Sequence, residues 1–287
     1  MINSKSRYLI LGKNGLLGMD MQTVLQDRDY IALSREEFDI TDEGSLKEAI
    51  MNAEADVVIN ATAYKDVYKA EEDASLADEV NGYAVGRLAK ICRDFGITLV
   101  HFSTDYVFDG ENKAGYKEED IPNPVNAYGR SKLLGEQLIQ DEMEAEFGEE
   151  PEGKYFIIRT SYLFGKHGPN LISKLLDNAK KGQAFSVVSD QFAKATYTLD
   201  LVKQVKWLLE SNEYESGIYH ITNAGVTNWY DLAKFLLKEA GLDESIITPG
   251  KLDDWPSAAK RPRYSSLINT KLPELRDWKI AIKDYLI

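Results

Sequence analysis

The chain has 287 residues, of which 44% are hydrophobic, and this is enough for one large or two moderate globular domains. Its net charge of −13 argues against nucleic acid or an anionic membrane as the main partner, because both bind basic patches. No apolar run approaches the roughly 18 residues of a membrane helix, and the polar N-terminus is unlike a signal peptide. A single cysteine excludes an intramolecular disulfide, and the three histidines are too dispersed to suggest a metal site. We therefore expect a cytoplasmic monomer or homodimer without a bound metal.

Short apolar runs alternate with helical patterns over the first two-thirds of the chain. The predicted strands are Arg7–Leu11, Tyr30–Leu33, Asp56–Asn60, Thr98–Ser103, Tyr155–Arg159 and Ala184–Val188. The predicted helices between them lie near Leu16–Gln26, Glu43–Met51, Ser75–Phe95 and Asn126–Glu144. This alternation is typical of a parallel sheet with helices on both faces, in which ligands bind at the carboxyl ends of the strands.

The last third has a different character. Its predicted elements are helices near Asn170–Lys181, Leu199–Glu210 and Asn228–Ala240, and a short extended segment at Ile218–Ile221. The sequence thus predicts an α/β fold: a Rossmann-type doubly wound parallel sheet in residues 1–160, joined by the strand near 184–188. Residues 161–287 would form a smaller C-terminal α/β domain that mainly binds substrate. The acidic segment Gln140–Gly153 is predicted to be a solvated helix end and loop.

Three glycines follow the first predicted strand and precede the first helix. Gly12, Gly15 and Gly18 have the spacing GxxGxxG, and Leu16 and Leu17 begin the helix. Glycines allow a tight turn and close approach of the backbone, and the helix N-terminus offers N–H groups to a pyrophosphate. This turn therefore predicts a dinucleotide-binding site.

The end of the second predicted strand bears on which dinucleotide binds. Many dinucleotide sites have an acidic residue there for the ribose hydroxyl, whereas this chain has Ser34 and Arg35. A hydroxyl and a guanidinium suit a 2′-phosphate, which favours NADPH. NADH stays an alternative, since Arg35 could pair with a neighbouring glutamate. Asp39 and Ile40 follow at positions expected to meet the adenine.

The spacing YxxxK occurs three times in the chain. A tyrosine can protonate a developing alkoxide, and a lysine four residues later on the same helical face makes the phenol more acidic. Tyr162–Lys166 is interrupted by a glycine, and Tyr230–Lys234 lies in the last third. Only Tyr128–Lys132 opens the helix after the fourth strand, so this pair is the predicted catalytic one.

A third catalytic group is expected at the carboxyl end of the fourth strand. Ser103 or Thr104 could bind a substrate carbonyl there, and Asp105 follows at the same edge. A serine or threonine at a strand end is often only structural, but its conjunction with Tyr128 and Lys132 favours the functional interpretation.

These residues resemble the dTDP-4-dehydrorhamnose reductase family of the extended short-chain dehydrogenase/reductase superfamily, over nearly the whole chain. The blocks that carry the resemblance are Asn60-Ala61-Thr62-Ala63-Tyr64, Ser103-Thr104-Asp105-Tyr106-Val107-Phe108, Tyr128-Gly129-Arg130-Ser131-Lys132, Arg159-Thr160-Ser161 and Arg261-Pro262. The resemblance implies that Thr104, Tyr128 and Lys132 are catalytic and that Thr104 and Asp105 contact the sugar. It also places Gly15, Leu16, Leu17, Asp39, Ile40, Ala63, Tyr64 and Lys65 around the cofactor.

The chain departs from the family pattern on the side expected to bind the nucleotide-sugar. Tyr162 stands where the family usually has tryptophan, Ala193 and Ala195 replace a glycine and a proline, and Tyr264 replaces an asparagine. Tyr162 is therefore a predicted substrate-binding residue in which the family signal has changed.

The expected function is NADPH-dependent reduction of the C4 ketone of a nucleotide-linked 6-deoxy sugar, with dTDP-4-dehydrorhamnose as the expected substrate. One alternative is an epimerase or dehydratase of the same superfamily. A dehydratase should have an Asp-Glu pair after Thr104, whereas here Asp105 is followed by Tyr106. A non-catalytic NADP-binding regulatory relative is the other alternative.

Overall fold

A computed structural model describes residues 2–144, 153–254 and 259–287. Residues 145–152, which form most of the predicted acidic loop, lie outside the described residues. Within the described ranges, no helix is both long enough and apolar enough to cross a membrane.

Helices and strands alternate along the chain, as the hydrophobic pattern predicts. The strands are β1 Arg7–Leu11, β2 Asp29–Leu33, β3 Val57–Asn60, β4 Thr98–Thr104, β5 Tyr155–Thr160, β6 Leu163–Phe164, β7 Phe185–Val188, β8 Phe192–Lys194, β9 Thr196–Tyr197, β10 Gly217–His220, β11 Asn223–Ala224, β12 Val226–Asn228, β13 Ile247–Gly250 and β14 Leu275–Asp277. The α-helices are α1 Leu16–Val24, α2 Glu43–Ala53, α3 Val67–Glu72, α4 Ala74–Asp78, α5 Ala84–Asp94, α6 Ala127–Met143, α7 Leu171–Lys180, α8 Thr198–Ser211, α9 Trp229–Glu239 and α10 Trp278–Leu286.

The large sheet has six parallel strands in the order β10-β5-β4-β3-β1-β2. Its strands are mostly apolar, because a parallel sheet covered on both faces by helices buries both sets of alternating side chains. On one face the core combines the sheet with α2, α5 and α6, and on the other with α1 and α8. The predicted doubly wound α/β fold is confirmed.

The sixth strand of this sheet is a correction to the sequence prediction. Strand β7 forms near 184–188, but it pairs with β13 in a separate two-stranded sheet. The large sheet is completed instead by β10, which pairs with β5 and lies in the segment predicted as an isolated extended piece. Packing agrees with this pairing: Ile218 and Tyr219 of β10 pack in the two cores on opposite faces of the large sheet, whereas Ser186 of β7 is exposed.

The helix predicted over Ser75–Phe95 is one continuous helical stretch with a wider turn inside it. A π-helical turn at Glu79–Tyr83 joins α4 to α5. This turn packs against α6, where the Leu134 side chain lies against Gly82. Two helices were absent from the prediction, the short α3 and the C-terminal α10.

The elements after β5, apart from α8 and β10, build a second core. Its buried side chains come from α7, α9, α10 and the β7–β13 pair, and Leu232, Leu236, Trp278 and Ile282 are among them. This core stands at the carboxyl edge of the large sheet, because β6 and β9 extend from that edge and lead into α7 and α8.

Candidate active site

The glycine turn between β1 and α1 is compact. Gly12 has a φ of +94°, and its N–H donates to the Leu33 carbonyl at 2.8 Å. A Cβ on Gly18 would lie 2.2 Å from the Gly12 oxygen, so the helix packs directly on the turn. Gly15 is the N-cap of α1, and because it has no side chain it forms no capping hydrogen bond with the N–H groups of the first turn. A Cβ on Gly15 would contact only the carbonyl oxygen of Gly12. The helix N-terminus therefore faces an uncovered surface, as a pyrophosphate requires.

The two residues predicted to bind a 2′-phosphate differ in what they already contact. The Ser34 hydroxyl is buried and donates to the Glu37 carboxylate at 2.8 Å, and Lys13 pairs with the same oxygen at 2.6 Å. These contacts, led by the Lys13 hydrogen bond, lower the pKa of Glu37 to about 2. Arg35 is exposed, and within the described ranges it forms no ion pair, either with Glu36 or with Glu37. Arg35 is thus the group available to a phosphate.

The other predicted cofactor residues lie along the same edge of the sheet. Asp39 is exposed and accepts hydrogen bonds from Thr41, while Ile40 is buried in the core between the sheet and α2. Ala63, Tyr64 and Lys65 form the loop after β3. Asn81 of the π-helical turn fixes this loop, because its side chain both accepts from the Tyr64 N–H and donates to the Tyr64 carbonyl.

Thr104 and Asp105 stand at the carboxyl end of β4. The Thr104 hydroxyl accepts from the Tyr106 N–H and donates to the Asp105 carboxylate, each at 3.1 Å. The other Asp105 oxygen accepts from the Ser265 hydroxyl. Burial raises the pKa of Asp105 to about 7, although the hydrogen bonds from Ser265 and Thr104 oppose this shift. Around neutral pH a fraction of Asp105 is therefore an uncharged acid.

Tyr128 is brought to Thr104 by the packing of α6. Asn126 caps this helix by accepting from the Gly129 N–H at 2.8 Å. A Cβ on Gly129 would lie 2.1 Å from the backbone carbonyl oxygen of Tyr106, so only glycine allows the helix to approach the end of β4 this closely. The Tyr128 ring meets the Tyr106 ring edge-on at a centroid distance of 5.9 Å. Burial raises the pKa of Tyr128, and the neighbouring Thr104 hydroxyl opposes this.

Lys132, one turn after Tyr128, is 1% exposed. Its Nζ lies 2.9 Å from His101 Nε2 and donates to the Phe102 carbonyl at 2.7 Å. Burial lowers the pKa of Lys132 to about 8, while the charge of Glu136 opposes that shift. The sequence prediction included Lys132 but not its histidine partner.

The other two YxxxK pairs do not form a comparable arrangement. Lys166 and Lys234 are both exposed, and Tyr230 packs in the second core. Tyr162 does line a cavity together with Thr104 and Asp105: it has a φ of +43° and its ring stacks on Trp229 at a centroid distance of 3.9 Å.

Two cavities meet at this site. The smaller, of about 280 Å³, is lined by the predicted groups Lys65, Ser103, Thr104, Asp105, Tyr128 and Tyr162. The larger, of about 1100 Å³, lies between the second core and the 259–264 segment. Leu171, Trp229 and Arg261 line both cavities, so the large one borders the small one at these three side chains.

The larger cavity is rich in basic and aromatic side chains. Its basic residues are Lys113, Lys174, Lys260, Arg261 and Arg263. Among the described residues, its lining also has three carboxylates: Glu111, Asp109, which accepts from the Tyr116 hydroxyl, and Asp253, which pairs with Arg263 at 3.4 Å. The Arg261 guanidinium lies over the Tyr68 ring at 5.0 Å. In a chain with a net charge of −13, this local basic surface suits an anionic ligand.

Several of these groups escaped the sequence prediction. Trp229, Arg261, Ser265 and His101 were not named as site residues, although Arg261 belongs to a block that carries the resemblance and His101 lies two residues before another. Trp229 had no local signal, because it opens an amphipathic helix whose apolar face packs in the second core. The stacking on Tyr162 becomes visible only in three dimensions.

Comparison with known proteins agrees with this geometry. Residues 6–287 match the family model described as RmlD substrate binding domain. A dTDP-4-keto-6-deoxy-D-glucose reductase of Streptomyces niveus is 35% identical, over 96% of this chain and 95% of the relative. A dTDP-4-dehydrorhamnose reductase of Burkholderia thailandensis is also 35% identical, over 96% of both chains.

Solved structures give the same result. The crystal structure of dTDP-4-dehydrorhamnose reductase from Bacillus anthracis in complex with NADP is 30% identical and has a TM-score of 0.90, with 98% of each chain covered. A Clostridium acetobutylicum dTDP-4-dehydrorhamnose reductase is 33% identical, with a TM-score of 0.89 and the same coverage. The chain therefore belongs to the RmlD family of dTDP-4-dehydrorhamnose reductases.

Proposed function

We propose that this protein is an NADPH-dependent oxidoreductase that reduces the C4 ketone of a nucleotide-linked 6-deoxy-4-keto sugar, converting dTDP-4-dehydro-L-rhamnose to dTDP-L-rhamnose. One observation carries the proposal. The small cavity that holds Thr104 and Tyr128 borders a large basic cavity at Arg261 and Trp229. A nucleotide-linked sugar has matching parts: its compact neutral sugar would fit the small cavity, and its larger anionic nucleotide would fit the large basic one.

The residues present fit the cofactor. The uncovered N-terminus of α1 and the turn through Gly12 and Gly15 would hold the pyrophosphate, and Arg35 would hold the 2′-phosphate. When bound, NADPH supplies the hydride for the carbonyl carbon. The protein supplies position and an electrostatic environment for this chemistry.

The catalytic side chains divide the remaining work. The Tyr128 phenol, protonated in its buried position, donates the proton to the C4 oxygen as it becomes an alkoxide. Thr104 orients the carbonyl from the end of β4. Lys132, one helical turn away, would hold the nicotinamide ribose, and its charge would lower the cost of forming the phenolate. Asp105 contacts the sugar, and in its uncharged form it can donate as well as accept.

The substrate side rests on the second core. Arg261 stands at the boundary of the two cavities, where the diphosphate links nucleotide to sugar, and a guanidinium suits a phosphate by its fork of donors. Tyr162 and Trp229 present a stacked aromatic pair to the same boundary. Accordingly, residues 1–160 would bind NADPH and residues 161–287 would mainly bind the substrate.

The test is an NADPH-oxidation assay against a panel of nucleotide-4-keto sugars, with the product sugar identified. We expect stoichiometric NADPH consumption with dTDP-4-dehydrorhamnose. Sugar conversion without net NADPH consumption would identify an epimerase or dehydratase instead. NADPH binding without conversion of any sugar would identify a non-catalytic relative.

The assembly and location of the protein complete the proposal. We expect it to act in the cytoplasm as a monomer or homodimer. Light scattering of the purified protein would measure its mass in solution, and a mass above that of two chains would contradict this expectation.

A further inference from the structure

Three buried polar side chains form a row between the sheet and α6. Asn60 and His101 are direct partners in the β3–β4 register, and Lys132 reaches His101 from α6. Asn60 and His101 are 0% exposed and Lys132 is 1% exposed. Asn60 Nδ2 lies 3.1 Å from His101 Nδ1, and Lys132 Nζ lies 2.9 Å from His101 Nε2. Both imidazole nitrogens therefore face a nitrogen.

The orientation of the Asn60 amide is fixed by its other end. Asn60 Oδ1 accepts from the Thr62 N–H at 3.1 Å and from the Thr62 hydroxyl at 2.6 Å. Turning the amide over would set its NH₂ group against the Thr62 N–H, so Nδ2 must face His101. Because Nδ2 can only donate, His101 Nδ1 must accept, and the neutral imidazole carries its proton on Nε2.

This tautomer has a consequence for Lys132. The Nε2–H group points at Lys132 Nζ and needs an acceptor there. A neutral amine has a lone pair for it and can still donate to the Phe102 carbonyl, whereas an ammonium has three donors and no acceptor. Moving the imidazole proton to Nδ1 would accommodate the ammonium but would set Nδ1–H against the Asn60 NH₂. Either way, the charged lysine leaves a buried donor without an acceptor.

We propose that His101 is a positioning residue for Lys132: held in one tautomer by Asn60, it fixes the lysine at β4 and disfavours its charged form. The inference rests on the proposed function, because that function gives Lys132 its role. It identifies His101 and Asn60 as the residues that set the alkaline limit of the reaction, since the charged lysine is the form that assists Tyr128.

The other charged groups around Lys132 are accounted for. Glu136, one turn later on α6, favours the charged lysine but is itself paired with Arg159 of β5 at 2.7 Å, with both side chains 1% exposed. Tyr128 stands on the same helix, and Asp105 shifts the Tyr128 phenol rather than Lys132. Burial and the lysine charge lower the pKa of His101 well below its usual value, so the imidazole is neutral. His101 thus acts through its tautomer and not through a charge.

The experiment follows Lys132 directly in the free protein. With ¹³C-labelled lysine, the Cε signal that disappears in Lys132→Met is titrated by NMR. In the wild type we expect its midpoint near pH 8. His101→Gln offers an amide oxygen to the ammonium, and Asn60→Ala removes the amide donor that fixes the tautomer, without adding a charge, so that Nε2 can accept. Each should raise the midpoint by about one pH unit or more.

The matched control is His220→Gln. His220 is a second buried imidazole of the same sheet, on β10, whose pKa burial lowers to about 3, and its Nδ1 faces the Ile268 carbonyl rather than Lys132. We expect this variant to leave the Lys132 midpoint unchanged. Circular dichroism melts show which variants are folded, and Asn60→Ala keeps the test decisive if His101→Gln does not fold.

Activity provides a second readout. If the protein is a reductase, the alkaline limb of kcat/KM moves to higher pH in His101→Gln and Asn60→Ala by the same interval as the NMR midpoint. A wild-type Lys132 midpoint near the usual 10.4 would overturn the inference. So would equal shifts in His101→Gln and His220→Gln. Absence of turnover alone would count against the proposed function and leave the NMR result to judge His101.

Discussion

The cofactor half and the substrate half of the site are built in different ways. The turn from Gly12 to Gly18 is one contiguous segment whose own backbone requires its glycines. Gly12 has a positive φ, and a Cβ on Gly18 would lie only 2.2 Å from the Gly12 carbonyl oxygen. The substrate side combines Tyr162, Trp229 and Arg261, which come from three separate segments. A local backbone constraint leaves a readable pattern in the sequence, whereas a surface assembled by tertiary packing does not.

The two halves also differ in how far their groups are already satisfied. In the cofactor half Ser34 is held by Glu37, and Lys132 is held by His101. On the substrate side Arg261 contacts the exposed Tyr68 ring and lines both cavities. Substitutions of the catalytic residues Tyr128 and Lys132 should therefore change turnover, and substitutions at the boundary of the two cavities should change substrate affinity. The following experiments test this division.

The largest effect is expected at Tyr128. Tyr128→Phe removes only the proton donor, so kcat should fall by about 10²–10⁴-fold while the NADPH affinity stays within about two-fold of the wild-type value. The matched control is Tyr230→Phe, the tyrosine of the YxxxK pair in the second core, which should keep kcat within a few-fold. Steady-state kinetics and NADPH titration measure both. If Tyr230→Phe were the inactivating substitution instead, the assignment of the proton donor to Tyr128 would be wrong.

How far the sequence predicts the fold follows from the same comparison. Strands β1 to β5 were predicted because continuous apolar runs are what a doubly covered sheet requires. The sixth strand was assigned to 184–188, since an apolar run cannot specify its partner; pairing with β5 selects Gly217–His220. In the site, Thr104, Tyr128 and Lys132 were predicted from their places at and after the end of the fourth strand and from the family resemblance, and the structure brings Thr104 and Tyr128 to one cavity. His101 was not, because one buried histidine in an apolar strand has no readable partner.

The next effect concerns Arg261 at the cavity boundary. Arg261→Gln removes a charged phosphate contact, which is worth about 1.5–3 kcal/mol, so kcat/KM for the nucleotide-sugar should fall by roughly 10- to 100-fold. NADPH affinity should not change. Arg263→Gln is the control: Arg263 lines the same cavity but is already shared between Asp190 and Asp253 at 3.3 and 3.4 Å, and we expect only a few-fold loss. Equal losses of kcat/KM in the two variants would show that Arg261 does not make a specific phosphate contact.

A smaller and more selective effect is expected at Arg35. Arg35→Ala should weaken NADPH binding by about ten-fold and leave NADH binding nearly unchanged, because only NADPH carries the 2′-phosphate. Ser34→Ala should do less, since its hydroxyl is already bound to Glu37. Arg93→Ala serves as the surface control, as Arg93 is paired with Asp94 and Glu142 on α5 and α6. Isothermal titration with both cofactors measures the difference, and equal weakening of NADPH and NADH would rule out the phosphate contact.

The smallest effect is expected at Tyr162, where the chain departs from its family. Its ring stacks on Trp229 at 3.9 Å, and its hydroxyl lies 3.4 Å from the Gln191 carbonyl, at the outer limit of a hydrogen bond. Tyr162→Phe should therefore leave kcat/KM nearly unchanged. Tyr162→Trp restores the larger ring of the family and keeps the aromatic face that packs against Trp229.

Tyr162 lines the small cavity and stacks on Trp229, which also lines the large one, so the smaller tyrosine ring gives Trp229 more room beside the nucleotide. We therefore expect the wild type to turn over dTDP- and dUDP-linked 4-keto sugars, which differ only by the methyl group of the base, with kcat/KM values within roughly three-fold of each other. This ratio is less than a well-fitted pocket achieves for one methyl group. Tyr162→Trp should shift this ratio toward dTDP, whose base carries the additional methyl group, through KM rather than kcat. The measurement is kcat/KM for both sugars in the wild type and the two variants. A strong dTDP preference already present in the wild type would show that Tyr162 is a neutral replacement, compensated by its stack on Trp229.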